Sequence, residues 1–148
     1  FQYPEKLIPL VISRAVKRET LPIYGDGQHI RDWIYVDDHA RALYQIALKG
    51  MPGQTYAIGG NCEKTNLEIV QAICDQMQMK SDDDFLYSSL IRHISDRPGH
   101  DYRYAIDTSK IKNELGWEPE ELFKTGLAKT IDWYLTNKEW CSEALIQT

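Results

Sequence analysis

The spacing of apolar and polar residues predicts five helices along the chain. In the first, at residues 5–18, an apolar stripe faces the core. The second is expected at 38–48 with Asp37 or Asp38 as its N-cap, and the third follows a capping box at 65–68. The fourth is capped by Asp107 or Thr108 and ended by Gly116, and the fifth opens at Pro119 and buries Phe123, Leu127, Ile131 and Tyr134.

Short runs rich in β-branched and aromatic residues predict strands between these helices. Pro22 assigns the first strand to a sheet edge or a bend. Because Gly25, Asp26 and Gly27 favour a tight turn, we expect the first two strands to form an antiparallel hairpin. Short strands alternating with helices indicate an α/β or α+β class. The strand candidates are residues 21–24, 30–36, 55–58, 92–95 and 103–107.

The second strand candidate carries a basic side chain between aromatic rings. Arg31, Trp33 and Tyr35 share one face there, since side chains alternate along a strand. A guanidinium beside rings suits a planar, anionic or phosphorylated ligand. The alternative is an exposed arginine that pairs with Asp32 or Asp26.

The loop at residues 96–100, with the sequence DRPGH, is the second candidate site. Its Pro-Gly turn would hold Arg97 and His100 on neighbouring sides, and Arg103 follows closely. Two guanidinium groups and an imidazole around a rigid turn could clamp a diphosphate. A solvated surface turn is the alternative.

Several single side chains have both a structural and a binding interpretation. Tyr24 could stack on a planar base or pack at a strand edge. Asn66 could cap its helix or face a ligand at the positive helix end. Tyr134 and Lys138 have the spacing of a short-chain dehydrogenase redox pair. We interpret Tyr134 as a core residue, because it already lies on the buried stripe of the last helix.

Composition narrows the possible functions. The 148 residues carry a net charge of −5, which disfavours a broad nucleic-acid surface. No apolar run approaches the length of a membrane span, and no signal-peptide pattern is visible. Three scattered cysteines fit a reducing cytoplasm, and neither they nor the four histidines have metal-site spacing. Phe1 in place of an initiator methionine leads us to expect a fragment of a longer chain.

Five segments together carry a family resemblance: PEKLIPLVI, LPIYGDGQHIRDWIYVDDHARAL, YAIGG, SDRPGHDYRYAID and KIKNELGW. They resemble the C-terminal half of the dTDP-glucose 4,6-dehydratases, which are extended short-chain dehydrogenases/reductases. The resemblance runs from about residue 3 to residue 140. RDWIYVDDHARA and DRPGHDYRY are specific, whereas the YAID to ELGW ending is shared more widely among nucleotide-sugar epimerases and dehydratases.

The resemblance implies an α/β fold that forms one nucleotide-sugar-binding domain at 1–148, with the NAD-binding Rossmann half largely absent. The intact enzyme would be a cytoplasmic homodimer that converts dTDP-glucose to dTDP-4-keto-6-deoxyglucose and water with bound NAD. The implied roles are thymine packing by residues 22–24 and diphosphate binding by Arg31 and Arg97, which would converge on one pyrophosphate. The implied substrate-binding residues are Lys6, Leu7, Ile8, Pro9, Leu10, Val11, Pro22, Ile23, Tyr24, Arg31, Asn66, Asp96, Arg97, Pro98, Gly99 and His100.

Catalytic and cofactor-binding residues are expected outside this chain. The sequence has neither a GxGxxG nor a GxxxxGK[ST] motif, so no phosphate loop is predicted. This chain alone is therefore expected to be inactive, with NAD bound by the missing half. Without that half, the second helix and the strand at 55–58 would leave apolar surface uncovered, and we expect poor stability or self-association.

Two other functions remain open from the sequence. The widely shared ending would also suit a UDP-sugar epimerase or decarboxylase, although the DRPGHD segment argues against it. A non-catalytic module that binds a nucleotide sugar or a partner is the second alternative.

Overall fold

The computed structural model describes residues 2–141 and contains both helices and short strands in this part. The mixed composition confirms the predicted α/β class. The helices are α1 (Leu7–Val16), α2 (Val36–Lys49), α3 (Asn66–Lys80), α4 (Ser109–Leu115) and α5 (Phe123–Thr136). The strands are β1 (Leu21–Tyr24), β2 (Ile30–Asp32), β3 (Glu63–Thr65) and β4 (Ile91–Ile94), with a 3₁₀ turn at Tyr87–Leu90.

The chain folds into two compact units, each assembled from separated segments. The first unit comprises Phe1–His29, Thr65–His100 and Leu127–Thr148. The second comprises Ile30–Lys64 and Asp101–Gly126. Within residues 2–141, no helix has the length and apolar composition needed to cross a membrane.

The first unit is built on a parallel strand pair covered by helices. β1 lies beside β4, with Leu21 opposite Ile91 and Tyr24 opposite Ile94. The helix α3 packs against both α1 and β1. Burial of the shared apolar faces stabilises the unit by about 25 cal/mol per Å² of apolar area. The buried side chains of this unit are Val11, Ile12, Ala15, Leu21, Ile23, Ile69, Val70, Ile73, Cys74, Met77, Tyr87, Leu127 and Ile131.

The predicted antiparallel hairpin is wrong, although its turn is present. The Gly27 N–H donates to the Tyr24 carbonyl at 3.2 Å, and Gly25 and Gly27 have φ of +58° and +77°. A Cβ at Gly27 would lie 2.8 Å from Ile23, so the turn is also tightly packed. However, β1 pairs with β4, and β2 pairs with β3. Turn propensity is local, whereas a parallel partner comes from a distant segment.

The second unit has a smaller core. Ala42, Ile111 and Trp117 are fully buried there. Ile34, Ile46, Tyr56, Ile58 and Leu115 pack around these three and are partly buried. The predicted strand at 30–36 ends at Asp32, and the backbone of residue 30 bridges to Arg103.

Two predicted strands, at 55–58 and 103–107, are not formed apart from that bridge. Side chains bind the backbone of the first segment and of the residues after it. The Asp32 carboxylate accepts the N–H groups of Gly60 and Cys62 at 2.8 and 2.7 Å. Lys110 donates to the Thr55 carbonyl at 3.0 Å. These backbone groups are satisfied without a strand ladder.

The helix starts differ from prediction at three places. α1 begins at Leu7, so Pro9 lies in the first turn, where its missing N–H needs no intrahelical partner. Tyr35 is the N-cap of α2, which leaves Asp37 and Asp38 inside the first turn. α5 begins at Phe123 rather than at Pro119.

Two helix termini are confirmed. Thr65 and Glu68 form the predicted capping box of α3. Gly116 ends α4 in the left-handed conformation, with φ of +67°. The cap of α4 is Thr108, and the Asp107 carboxylate accepts the Ser109 N–H at 2.8 Å.

Candidate functional site

A cluster of two histidines and one aspartate lies where β1 and β4 end. Because the strands are parallel, the segments that follow them emerge at the same edge. One of these segments supplies His29, and the other supplies Asp96 and His100. The His29 Nε2 lies 3.1 Å from Asp96 Oδ2, and the His100 Nδ1 lies 2.8 Å from Asp96 Oδ1. The two imidazole rings stack, with centroids 3.7 Å apart and planes 14° from parallel.

The carboxylate fixes one ring nitrogen of His100 as a donor. The hydrogen bond from His100 lowers the pKa of Asp96, and burial opposes this shift only in part. An ionised carboxylate only accepts hydrogen bonds, so His100 Nδ1 donates to Asp96. His100 Nε2 is then the ring nitrogen that does not face Asp96.

The stacked rings do not suit a metal ion in this arrangement. The nearest ligand atoms of the three residues all lie within 4.8 Å of one another. An imidazole binds a metal through the nitrogen lone pair, which lies in the ring plane. Two nearly parallel planes 3.7 Å apart have no common point near the cluster, so both rings cannot bind one ion without rotating. The geometry fits a hydrogen-bonded cluster.

Tyr24 is at the rim of this cluster. It is the last residue of β1 and is 43% exposed, and its ring meets His100 edge-on at 6.2 Å. Ile23 is buried in the core beside it, and Pro22 is partly buried. An exposed ring face next to His100 is available for a planar base. Its predicted role in thymine packing stays a prediction.

The remaining predicted side chains of the first unit are spread over α1, α3 and the 96–100 loop. Lys6 is the N-cap of α1, and residues 7–11 form the N-terminal end of the helix, where Pro9 and Val11 are buried. Asn66 is the first residue of α3 rather than its cap, and its N–H donates to the His29 carbonyl at 2.9 Å. Arg97 is exposed, and the turn at Pro98 and Gly99 is formed. The substrate-binding roles implied for Lys6, Leu7, Ile8 and Leu10 stay predictions.

Arg31 belongs to the second unit and is held by backbone carbonyls. Its guanidinium donates to the carbonyls of Ile30 at 2.6 Å and Asp101 at 2.7 Å. It also lies 4.4 Å from the centre of the Tyr104 ring. It pairs with neither Asp32 nor Asp26 within the described residues. The expectation that Arg31 and Arg97 converge on one pyrophosphate stays a prediction.

Tyr134 is only partly buried, whereas the sequence predicts a position on the buried stripe of the last helix. Its hydroxyl lies 3.4 Å from the Gln2 carbonyl, and burial raises its pKa. A raised pKa is the opposite of what a proton-accepting tyrosine requires. The core interpretation of Tyr134 is therefore retained.

His29 is the residue that the sequence analysis missed. It follows the glycine turn and precedes β2, inside the LPIYGDGQHIRDWIYVDDHARAL segment that carries the resemblance, but the sequence analysis gave it no role. Only the parallel pairing of β1 with β4 brings it to Asp96. If the parallel pairing of β1 with β4 were known in advance, His29 could be predicted to lie near Asp96, because the two strands end at the same edge of the sheet.

The comparisons with known proteins agree on one family. The family model described as GDP-mannose 4,6 dehydratase matches residues 1–130. The chain belongs to this family. A dTDP-glucose 4,6-dehydratase of Escherichia coli is 56% identical to this dehydratase-family chain over 144 residues. That match covers 95% of the chain and 40% of the relative.

Solved structures extend the likeness to the fold. A dTDP-glucose 4,6-dehydratase from Bacillus anthracis, in complex with NAD, matches 97% of the chain with a TM-score of 0.85 and 44% identity. The Streptomyces venezuelae dTDP-glucose 4,6-dehydratase DesIV, with NAD and a thymidine nucleotide bound, matches 95% with a TM-score of 0.84 and 41% identity. The chain covers 43% and 41% of those two proteins. The resemblance noted from the sequence motifs is confirmed, and the chain spans about 40% of its relatives' length.

Proposed function

We propose that the full-length protein is a dTDP-glucose 4,6-dehydratase and that this chain binds its nucleotide-sugar substrate. The reaction would convert dTDP-glucose to dTDP-4-keto-6-deoxyglucose and water with bound NAD. The observation that carries the proposal is the 56% identity to such an enzyme over 95% of the chain. The ordered cluster at the 96–100 loop supports it, because this loop belongs to the specific DRPGH segment.

The residues of this chain would bind and orient the substrate. Tyr24 offers its partly exposed ring for the base, and His100 offers Nε2 for a hydrogen bond. Arg97 would bind the diphosphate through its long, exposed side chain. A guanidinium can donate two parallel hydrogen bonds to a phosphate. The diphosphate role that the resemblance implies for Arg31 stays a prediction.

The cofactor and the catalytic groups would lie outside this chain. NAD supplies the hydride acceptor when it is bound. The 148 residues contain no dinucleotide fingerprint, so we propose that other parts of the full-length protein bind NAD. This chain alone would then lack turnover. A cytoplasmic homodimer, as the resemblance implies, completes the proposal.

Ligand binding to the full-length protein tests this function. We expect dTDP to bind more tightly than UDP by calorimetry, and we expect dTDP-glucose to be converted when NAD is present. Arg97→Gln should weaken dTDP binding about tenfold, since a charge-assisted hydrogen bond contributes about 1.5–3 kcal/mol. Arg92→Gln is the matched control, because the Arg92 guanidinium binds the carbonyls of Ser89 and Ile91.

Two results would overturn the proposal. A clear preference for UDP would favour a UDP-sugar epimerase or decarboxylase. Binding of dTDP by a full-length protein that never converts dTDP-glucose would favour the non-catalytic module. Equal losses in Arg97→Gln and Arg92→Gln would remove the diphosphate role from Arg97.

A further inference from the structure

His29 contacts three of the residues predicted to bind the nucleotide. Its backbone carbonyl accepts the Asn66 backbone N–H at 2.9 Å. Its Nε2 lies 3.1 Å from an Asp96 carboxylate oxygen, within ion-pair distance, and its ring stacks on His100 at 3.7 Å. His29 is only 5% exposed, whereas residues 92–99 are all exposed. His29 therefore joins the start of α3 to an exposed loop, through its backbone carbonyl on one side and its buried imidazole on the other.

The hydrogen bonds of Asp96 show why this contact matters. Within the described residues, the Asp96 carboxylate accepts hydrogen bonds from the Arg97 N–H and from His100, and it lies within ion-pair distance of His29. The two hydrogen-bond donors belong to the same short loop. His29 is the partner that comes from outside it. Without His29, the side chain of Asp96 would be bound only to its own loop, and the loop could move as a whole.

We propose that His29 is a positioning residue that holds Asp96 and His100 in the orientation that binds the nucleotide. This inference rests on the proposed function, since it takes the nucleotide to be the ligand of the loop. The imidazole acts in two separable ways. Its Nε2–H anchors the carboxylate of Asp96, and its flat face supports the ring of His100.

The two contributions have different energetic origins. The polar contact is made to an ionised carboxylate, and contacts with charged groups are stronger than those between neutral groups. The stack is a contact between two aromatic rings and needs no N–H group. Glutamine can replace the donor but not the ring. Phenylalanine can replace the ring but not the donor.

The experiment uses these two substitutions in the full-length protein. Calorimetry would measure dTDP affinity for the wild type, His29→Phe and His29→Gln, with thermal melting as a check on folding. His93→Phe is the matched control, because the exposed His93 imidazole binds the Gly25 carbonyl at 2.8 Å and does not contact Asp96. NMR of the ligand-free protein would follow the His100 Nδ1–H proton, which is observable while it stays hydrogen-bonded and protected from exchange.

We expect His29→Phe to weaken dTDP binding about fivefold to tenfold, the size of effect that follows the loss of one ordinary polar contact. His29→Gln should recover most of this loss, and His93→Phe should bind like the wild type. The His100 Nδ1–H signal should exchange faster in His29→Phe and be largely restored in His29→Gln.

Three outcomes would overturn the proposal. One is wild-type affinity in His29→Phe. Another is an equal loss in His29→Phe and His29→Gln that follows their melting temperatures, which would make His29 a folding residue only. The third is an unchanged His100 signal in His29→Phe. If even the wild type fails to bind dTDP, the proposed function fails, and the NMR signal alone then decides whether His29 positions His100.

Discussion

The buried carboxylate of Asp38 connects the first turn of α2 to the loop after α4. Asp38 is 4% exposed. One oxygen accepts the backbone N–H groups of Glu120 and Glu121 at 3.0 and 2.9 Å, and the other accepts from Arg41 at 2.7 Å. Burial by itself raises the pKa of Asp38, but the hydrogen bonds lower it below its ordinary value.

We predict that Asp38→Ala destabilises the fold by about 2 kcal/mol, because it removes the acceptor of two backbone N–H groups. Arg41 would keep its contacts with the Glu118 carbonyl and with Glu120. Asp37→Ala is the matched control, since Asp37 is exposed in the same helical turn and acts through the helix dipole alone. It should cost less than about 1 kcal/mol. Urea denaturation would measure both, and equal effects would contradict the prediction.

The lowered pKa of Asp38 also predicts that the stability of the fold depends on pH. Its pKa is lowered in the folded state, so its contribution is complete above the unfolded value of about 3.9. The contribution is lost as the pH falls through the folded pKa. The stability difference between wild type and Asp38→Ala should therefore shrink in acid. A constant difference from pH 7 to pH 3 would show that the charge of Asp38 is not involved.

The capping box of α3 is the element whose local chemistry is most complete. The Glu68 N–H donates to Thr65 Oγ1 at 3.1 Å, and the Thr65 N–H donates to Glu68 Oε2 at 2.7 Å. Both donors belong to the helix start, where backbone N–H groups have no intrahelical partner. The next residue is Asn66, so the cap also fixes a predicted ligand-binding position.

We predict that Thr65→Ala destabilises the protein by about 1 kcal/mol, the usual effect of losing an N-cap side chain. Thr65→Ser keeps the hydroxyl and should lose much less. Thermal melting of the two variants side by side would measure the difference. A melting temperature in Thr65→Ser as low as that of Thr65→Ala would indicate that the methyl group, not the cap, stabilises the helix.

Elements with local signals were predicted well, and elements with distant partners were not. The capping box and the helix end at Gly116 each depend on only four or five adjacent residues. The hairpin failed because Leu21 pairs with Ile91, a residue beyond the whole of α3. For the same reason the sequence identified the DRPGH loop as a candidate site but not His29. The resemblance covers both segments of the cluster, and only the pairing of β1 with β4 shows that His29 lies beside Asp96.

At the scale of the whole molecule, α2 presents an uncovered apolar face in this chain. Val36, Leu43, Tyr44 and Leu48 are each more than half exposed, and Met51 just beyond the helix is 64% exposed. These positions lie close to one another on a helix, since they are separated by about one or two turns. Contiguous exposed apolar surface favours association.

We predict that this chain, expressed alone, self-associates through the α2 face. Leu43→Glu together with Leu48→Glu should reduce the apparent mass in sedimentation or light scattering. Leu122→Glu is the control, because Leu122 is 73% exposed but lies outside α2. A monomeric wild-type chain with a cooperative melt would contradict the prediction. Equal solubilisation by Leu122→Glu would show that added charge alone is responsible.

The parallel pairing of β1 with β4 has a consequence for synthesis on the ribosome. β1 ends at Tyr24, and β4 begins at Ile91. At about 5–20 residues per second, the partner strand emerges several seconds after β1. During that interval the apolar Leu21 and Ile23 and the unpaired backbone of β1 are open to wrong partners. Translation speed and chaperone access between these two points should therefore influence the yield of correctly folded protein.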